Sequence, residues 1–237
     1  MNRRDGESEG KPGPGRAVAR WPAEEFRARV RAALARPEDG ALATRFFAPL
    51  VTALVVHADE DDAIVGAVLE TLDALARIGM PRGRAYVLLA GEGAPALAAV
   101  RMPQLRAALD VPVLVHDPSR DGFAAGRLPD GSALVLDDEL REAEAIVTLS
   151  SIGNGARAGW RAAALLCPGA CTDATRMTFA SAHARDGESG AWRLVRAAER
   201  EAPIDLAVWW DAAGSVTAAS GRWALGALAG AAGHAGA

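Results

Sequence analysis

Residues 126–169 read GRLPDGSALVLDDELREAEAIVTLSSIGNGARAGWRAAALLCPG. Pro129-Asp130-Gly131 is a strong turn signal, so the flanking segments 122–128 and 132–136 are expected to form a β-hairpin. The apolar run 144–149 (EAIVTL) reads as a central strand, and a glycine-rich segment then closes on Pro168-Gly169. Upstream, residues 50–56 (LVTALVV) form a continuous apolar run rich in β-branched side chains, bounded by Pro49 and the acidic group Asp59-Glu60-Asp61-Asp62. A run with no polar alternation predicts a strand buried on both faces. The acidic group favours a helix N-terminus through the macrodipole, and Ile64, Val68, Leu72 and Leu75 supply an apolar stripe as far as Gly79. The strand pattern returns at 86–90, followed by the turn 91–95 (GEGAP), an alanine-rich helix to Leu109 and a third strand at 111–116. Such βαβαβ alternation requires right-handed crossovers and a parallel sheet, which puts the loops after the strands on one common edge.

The flanks extend this pattern. A helix is expected from Pro22, with Phe26, Val30 and Leu34 on one face and Pro37 and Gly40 ending it. Beyond Pro168-Gly169 we expect one helix over 172–182 and another over 192–201, then a terminal hairpin pairing 204–210 with 216–219. Residues 1–19 are charged and rich in Gly and Pro, and read as a disordered leader; residues 225–237 read as a flexible tail. The expectation is one α/β domain over 20–224, a mainly parallel sheet with flanking helices in three Rossmann-like layers and short β-hairpin additions.

A chain of 237 residues with 50% hydrophobic content is long enough for one well-buried domain of this kind. Its 26 basic and 30 acidic residues are interspersed, giving a net charge of -4 and no footprint for nucleic acid. There is no apolar run long enough to span a membrane, and the N-terminus MNRRDGESEGKPGPG has no apolar core for a signal peptide. A soluble, cytoplasmic protein is expected. Lys11 is the only lysine. The two cysteines, Cys167 and Cys171, flank a Pro-Gly turn; a disulfide, a pair of soft metal ligands and two small buried residues are all compatible with that spacing.

Over roughly residues 40–224 the chain resembles the N-terminal domain of the nickel-dependent lactate racemase family. In that family the first buried strand leads into Asp-His-Thr-Arg-Pro, where this chain has Asp59-Glu60-Asp61-Asp62-Ala63. Only Asp59 matches, and an acid replaces the arginine that pairs with a substrate carboxylate. The second strand leads into Gly-Phe-His-Arg-Pro, whose histidine transfers a proton; here it reads Gly91-Glu92-Gly93-Ala94-Pro95. The family's Gly-Gly-Arg-Lys, whose lysine carries a nickel-pincer nucleotide, corresponds to the region Asn154-Gly155-Ala156-Arg157-Ala158-Gly159-Trp160, with Pro168-Gly169 retained after it. The resemblance therefore implies the racemase scaffold without the attachment lysine and so without the covalent cofactor. It also implies an incomplete site, because the family's active site lies between two domains and this sequence stops where the second would start.

The candidate catalytic residues are Asp59, Glu92 and His183. Glu92 stands beside the replaced histidine, and its alternatives are a general base and a solvated loop carboxylate. His183 falls near the family's nickel-ligand histidine and is the candidate metal residue, although one imidazole does not make a metal site. Asp59, Asn154, Arg157 and Trp160 are the candidate substrate-binding residues, with Trp160 either filling the vacated cofactor space or stacking on another planar ligand. His57 and His116 end strands at the loop edge, and each has a pocket-lining reading and a capping or surface reading. On this basis the chain is expected to be a divergent, non-catalytic binding or partner-assembly module. The alternative is an isomerase subunit acting on a 2-hydroxy acid or similar small acid, with a second polypeptide completing the cleft; the expected partner is such a polypeptide or, as a homo-oligomer, further copies of the chain. A small-molecule- or nucleotide-binding α/β module of another reaction class is the third reading.

Overall fold

The computed structural model describes residues 22–36, 42–44, 46, 50–57, 63–91, 94, 102–103, 105–152, 164–211 and 213–220. Helix α1 (Ala23–Ala35) precedes strand β1 (Thr52–His57), helix α2 (Ala63–Arg77), β2 (Ala85–Ala90) and β3 (Val113–Val115). Strands β4 (Gly122–Arg127) and β5 (Ala133–Asp137) follow, then β6 (Ala145–Ile152), helix α3 (Asp173–Glu201), β7 (Leu206–Asp211) and β8 (Val216–Ser220). The main sheet has the order β3-β2-β1-β6-β7-β8, and β4 and β5 form a separate antiparallel pair. All neighbours in the main sheet are parallel except β7 and β8. The expected α/β class, the parallel core and both hairpins are present.

Burial on both faces explains the unbroken apolar sequence of the central strands. On one face Leu54, Val56, Val87, Leu89, Val147 and Leu149 pack with Phe26, Val30 and Leu34 of α1 and Ile64, Val68, Leu72 and Leu75 of α2. On the other, Ala53, Val55, Leu88 and Ile146 pack with Leu134 and Leu136 of β5 and with Phe179, Leu194 and Val195 of α3. The side-chain alternation of a strand sends successive residues to these two cores.

The helix layer over the first core is held by an ion cluster as well as by apolar contact. Glu70 of α2 is 1% exposed. Its Oε1 accepts from Arg27 Nε at 2.9 Å and Arg31 Nη2 at 2.8 Å, and its Oε2 accepts from Arg31 Nε at 2.9 Å. Hydrogen bonding from Arg31, assisted by Arg27, holds this carboxyl below its ordinary range against the opposing effect of burial. The Phe26 ring meets Trp210 edge-on at 5.4 Å, joining α1 to β7 as well.

The two helices expected over 172–182 and 192–201 are present as the two arms of α3, which meet at a kink where Gly187 is non-helical (φ 65°, ψ -156°). Helical structure thus fills most of the interval assigned to a connection, because one glycine in the left-handed region absorbs the change of direction. The third strand is shorter than 111–116, covering Val113–Val115. The leader 1–19, the tail 225–237, and residues 95–101 of the expected alanine-rich helix lie outside the described residues.

Replacing Glu70 with Ala leaves two guanidinium groups facing an apolar helix seam. Because both arginines reach solvent, we expect a loss of about 2 kcal/mol in urea unfolding. Glu70→Gln should lose less. A lowered carboxyl pKa stabilises the fold above its unfolded-state pKa, and this contribution disappears as pH falls through the folded value, so wild-type and Glu70→Gln stabilities should converge in acid.

Candidate functional site

Chain direction reverses across the sheet between β1 and β6. From β1 the chain runs outward through α2 to β2 and β3, whereas β6 leads through α3 to β7 on the other side. Such a switch point opens a crevice at the carboxyl ends of its strands. The segments leaving those ends, 58–62 after β1, 92–93 after β2 and 153–163 after β6, are the segments that hold most of the candidate site residues.

Four polar or special residues stand at the carboxyl ends of β1, β2 and β6. His57 ends β1 and is half-buried. It falls on the face of Ala53 and Val55, and the β1–β6 register, which runs to Val56 opposite Leu149, brings Ser150 next to it. Ser150 and Thr148 are 2% and 0% exposed, and neither side-chain oxygen has a hydrogen-bond partner among the described residues. Buried hydroxyls usually find partners, and two in succession on one strand face distinguish this end of β6 from an apolar core strand. Gly91 follows β2 with φ +102°, and a Cβ there would lie 2.9 Å from His57 Nε2. Glycine at 91 therefore serves both the turn and the imidazole ring that lies over it. The Gly91 N–H donates to Gly169 O at 3.1 Å, seating the Pro168-Gly169 turn on the end of β2.

His116, the other strand-ending histidine, belongs to a different environment. It is 0% exposed; Nδ1 faces Asp137 Oδ2 at 2.5 Å and Nε2 faces Cys171 O at 2.9 Å. Each ring nitrogen thus faces an oxygen acceptor. Of the two sequence readings of His116, the structure selects the structural one: the ring ties β3, β5 and the turn before α3 together. Asp137 Oδ1 in turn accepts from Glu139 N at 2.9 Å and caps the short 3-10 turn Asp138–Leu140.

The remaining expectations fall into two groups. Asp59, Glu92, Asn154, Arg157 and Trp160 lie outside the described residues. His183 is described, and it is exposed on α3; no group of three or more His, Cys, Asp or Glu suited to a metal ion occurs among the described residues. Cys167 and Cys171 are free and buried.

Sequence reading missed two features. An open cavity of about 570 Å³ is lined by Asp117, Asp121, Asp137, Asp138 and Glu139 together with Arg120 and Arg141. Its acids come from two separate stretches of sequence that only the β4–β5 hairpin brings together. Within it Arg141 is already engaged by Asp138 and lies 5.4 Å from the centre of the Phe123 ring, and Asp117 accepts from Ser119. The second feature is Glu199 on α3, whose carboxyl is pushed up to about 7 by burial, against the pull of Arg196 and Arg200. Its Oε1 has no hydrogen-bond partner among the described residues.

Comparison with known proteins shows the fold. The chain is similar to the lactate racemase apoprotein from Thermoanaerobacterium thermosaccharolyticum, with a TM-score of 0.65 and 15% sequence identity, over 82% of this chain and 52% of that one. The likeness thus spans about half of the racemase chain. No protein-family profile matches the sequence, and no curated protein matches it. Among the described residues no helix is long and apolar enough to cross a membrane.

His116→Ala should destabilise the fold by about 3 kcal/mol in chemical denaturation, since it strands a nearly buried carboxylate and a carbonyl without a donor. Glu199 has the opposite pH signature from Glu70. Its folded pKa lies above the unfolded value, so its contribution is fully present at low pH and is lost as pH rises through about 7. Unfolding midpoints measured from pH 5 to 8 should fall with pH in the wild type and flatten in Glu199→Gln.

Proposed function

We propose that this chain is a divergent counterpart of the racemase N-terminal domain that serves as a binding or partner-assembly module, without a covalent nickel-pincer nucleotide and without racemase activity of its own. The observation that supports the binding half is the set of polar side chains at the carboxyl ends of β1 and β6, at the switch point. His57, Ser150 and Thr148 lie along one sheet face, at the edge where a parallel α/β sheet receives ligands, and two of them have hydroxyls that no described residue engages. Small acids and nucleotides are the classes suited to hydroxyl and imidazole donors of this kind, with Asp59, Glu92, Asn154, Arg157 and Trp160 as proposed contributors from the adjoining segments.

The residues do not fit the pincer cofactor. Covalent attachment needs a lysine, and Lys11 stands far in sequence from the glycine-rich region. His183, the proposed metal residue, is exposed and has no ligating cluster around it among the described residues. No chemical step is therefore assigned through nickel.

A second reading draws on the extent of the match, which covers 52% of the racemase chain. In it the chain is one half of an isomerase for a 2-hydroxy acid or similar small acid, and a second polypeptide completes the cleft.

Purified protein distinguishes these readings. We expect sub-stoichiometric nickel by elemental analysis and an intact mass equal to that of the unmodified chain; bound nickel at one per chain, or a nucleotide adduct, would overturn the cofactor half. A thermal-shift panel of 2-hydroxy acids and mononucleotides should raise the melting temperature for at least one compound, with the rise reduced in Ser150→Ala. No shift together with a monomer in size-exclusion chromatography would sink the binding and assembly reading. Racemisation by the chain only when mixed with a separate racemase C-terminal half would favour the second.

A further inference from the structure

The turn between Cys167 and Cys171 is the place where three strand ends meet. Gly169 O accepts from Gly91 N at 3.1 Å, after β2. Ala170 O accepts from Asp137 N at 2.9 Å, at the end of β5. Cys171 O faces His116 Nε2 at 2.9 Å, just beyond β3. One short turn thus ties together elements distant in sequence, and it carries a cysteine at each end.

The two side chains face the same interior. Both thiols are free and buried, with Cys167 at 2% and Cys171 at 0% exposure in the same apolar cluster. Cys171 Sγ approaches Leu166 O at 3.7 Å, and after burial the neighbouring Cys167 is the next influence that raises the Cys171 thiol. The backbone folds back to bring them together: Ala170 N donates to Leu166 O at 2.9 Å and Cys171 N to Pro168 O at 3.1 Å. Only Pro168, Gly169 and Ala170 separate the pair, so once one sulfur is activated the other is present at high effective concentration.

We propose that Cys167 and Cys171 form a redox-responsive clasp, closing to an intramolecular disulfide by exchange with a low-molecular-weight disulfide such as oxidised glutathione. One cysteine thiolate attacks a sulfur of the oxidant, breaking its S–S bond and releasing one equivalent of thiol. The second cysteine then attacks the protein sulfur of the mixed disulfide and expels a second equivalent. The protein loses two hydrogens and two electrons, and one disulfide is reduced to two thiols. Burial holds the Cys171 thiol well above its ordinary range, which protects the pair while the turn is seated and makes reaction proceed through local opening. Closing the bond fixes the turn that seats Gly91, and so stiffens one wall of the crevice at the sheet edge.

The test equilibrates the full chain, without denaturant, in oxidised and reduced glutathione mixtures, followed by acid quench, alkylation and intact mass. We expect a product 2 Da lighter with no alkylatable thiol, and amide exchange at Gly91 and Asp137 slowed about tenfold relative to the reduced protein. Cys167→Ala and Cys171→Ala should each stop at a single glutathione adduct, with no slowing of exchange. A mixed disulfide or an intermolecular dimer as the wild-type end product would overturn the proposal, as would a disulfide that leaves both amides unchanged. If one variant does not fold, the other variant and the wild-type exchange rates still decide the matter. No ligand or partner enters this experiment, so its outcome is separate from that of the binding reading.

Discussion

The fold depends on burying both faces of β1 at once. From Thr52 to Val56 no residue of the strand is more than 2% exposed, and the strand hydrogen-bonds to β2 on one side and β6 on the other. A strand in that position has no polar face to offer, so each neighbouring layer must be apolar where it meets the sheet. Helices α1 and α2 cover one face, and α3 with the β4–β5 pair covers the other. At roughly 25 cal/mol per Å² of apolar surface, this double burial outweighs any single polar contact described above.

The same constraint bears on the proposed site. With β1 central and the chain leaving it toward β2 on one side and returning at β6 on the other, the carboxyl ends of those strands are where a ligand crevice is expected in such a sheet. Apolar burial relaxes there: His57 replaces an aliphatic residue at the end of β1, and Thr148 and Ser150 interrupt the apolar alternation of β6. The unpartnered hydroxyls lie under the edge at which the strands give way to the connecting segments. The Cys167–Cys171 turn sits against this edge through Gly91, which is how a local turn comes to bear on the crevice.

Much of the architecture was legible because its signals are local. Unbroken apolar runs announced β1, β2 and β6, the Pro-Asp-Gly turn announced β4 and β5, and the spacing of Phe26, Val30 and Leu34 announced α1. The acidic cavity was not legible, because its side chains become neighbours only when β5 turns back beside β4. His116 looked like His57 in sequence, since each ends an apolar strand; their difference lies in what the third dimension sets beside them, Asp137 and Cys171 in one case and Gly91 in the other.

By itself, the sequence determined the α/β class, the parallel core and the presence of a single lysine, Lys11, because hydrophobic periodicity, turn chemistry and residue identity are properties of short segments. Only the tertiary structure decided which polar groups share an environment. It buried Glu70 between two arginines, gave His116 two acceptors and left Thr148 and Ser150 without partners, since burial and hydrogen bonding depend on residues far apart in the chain.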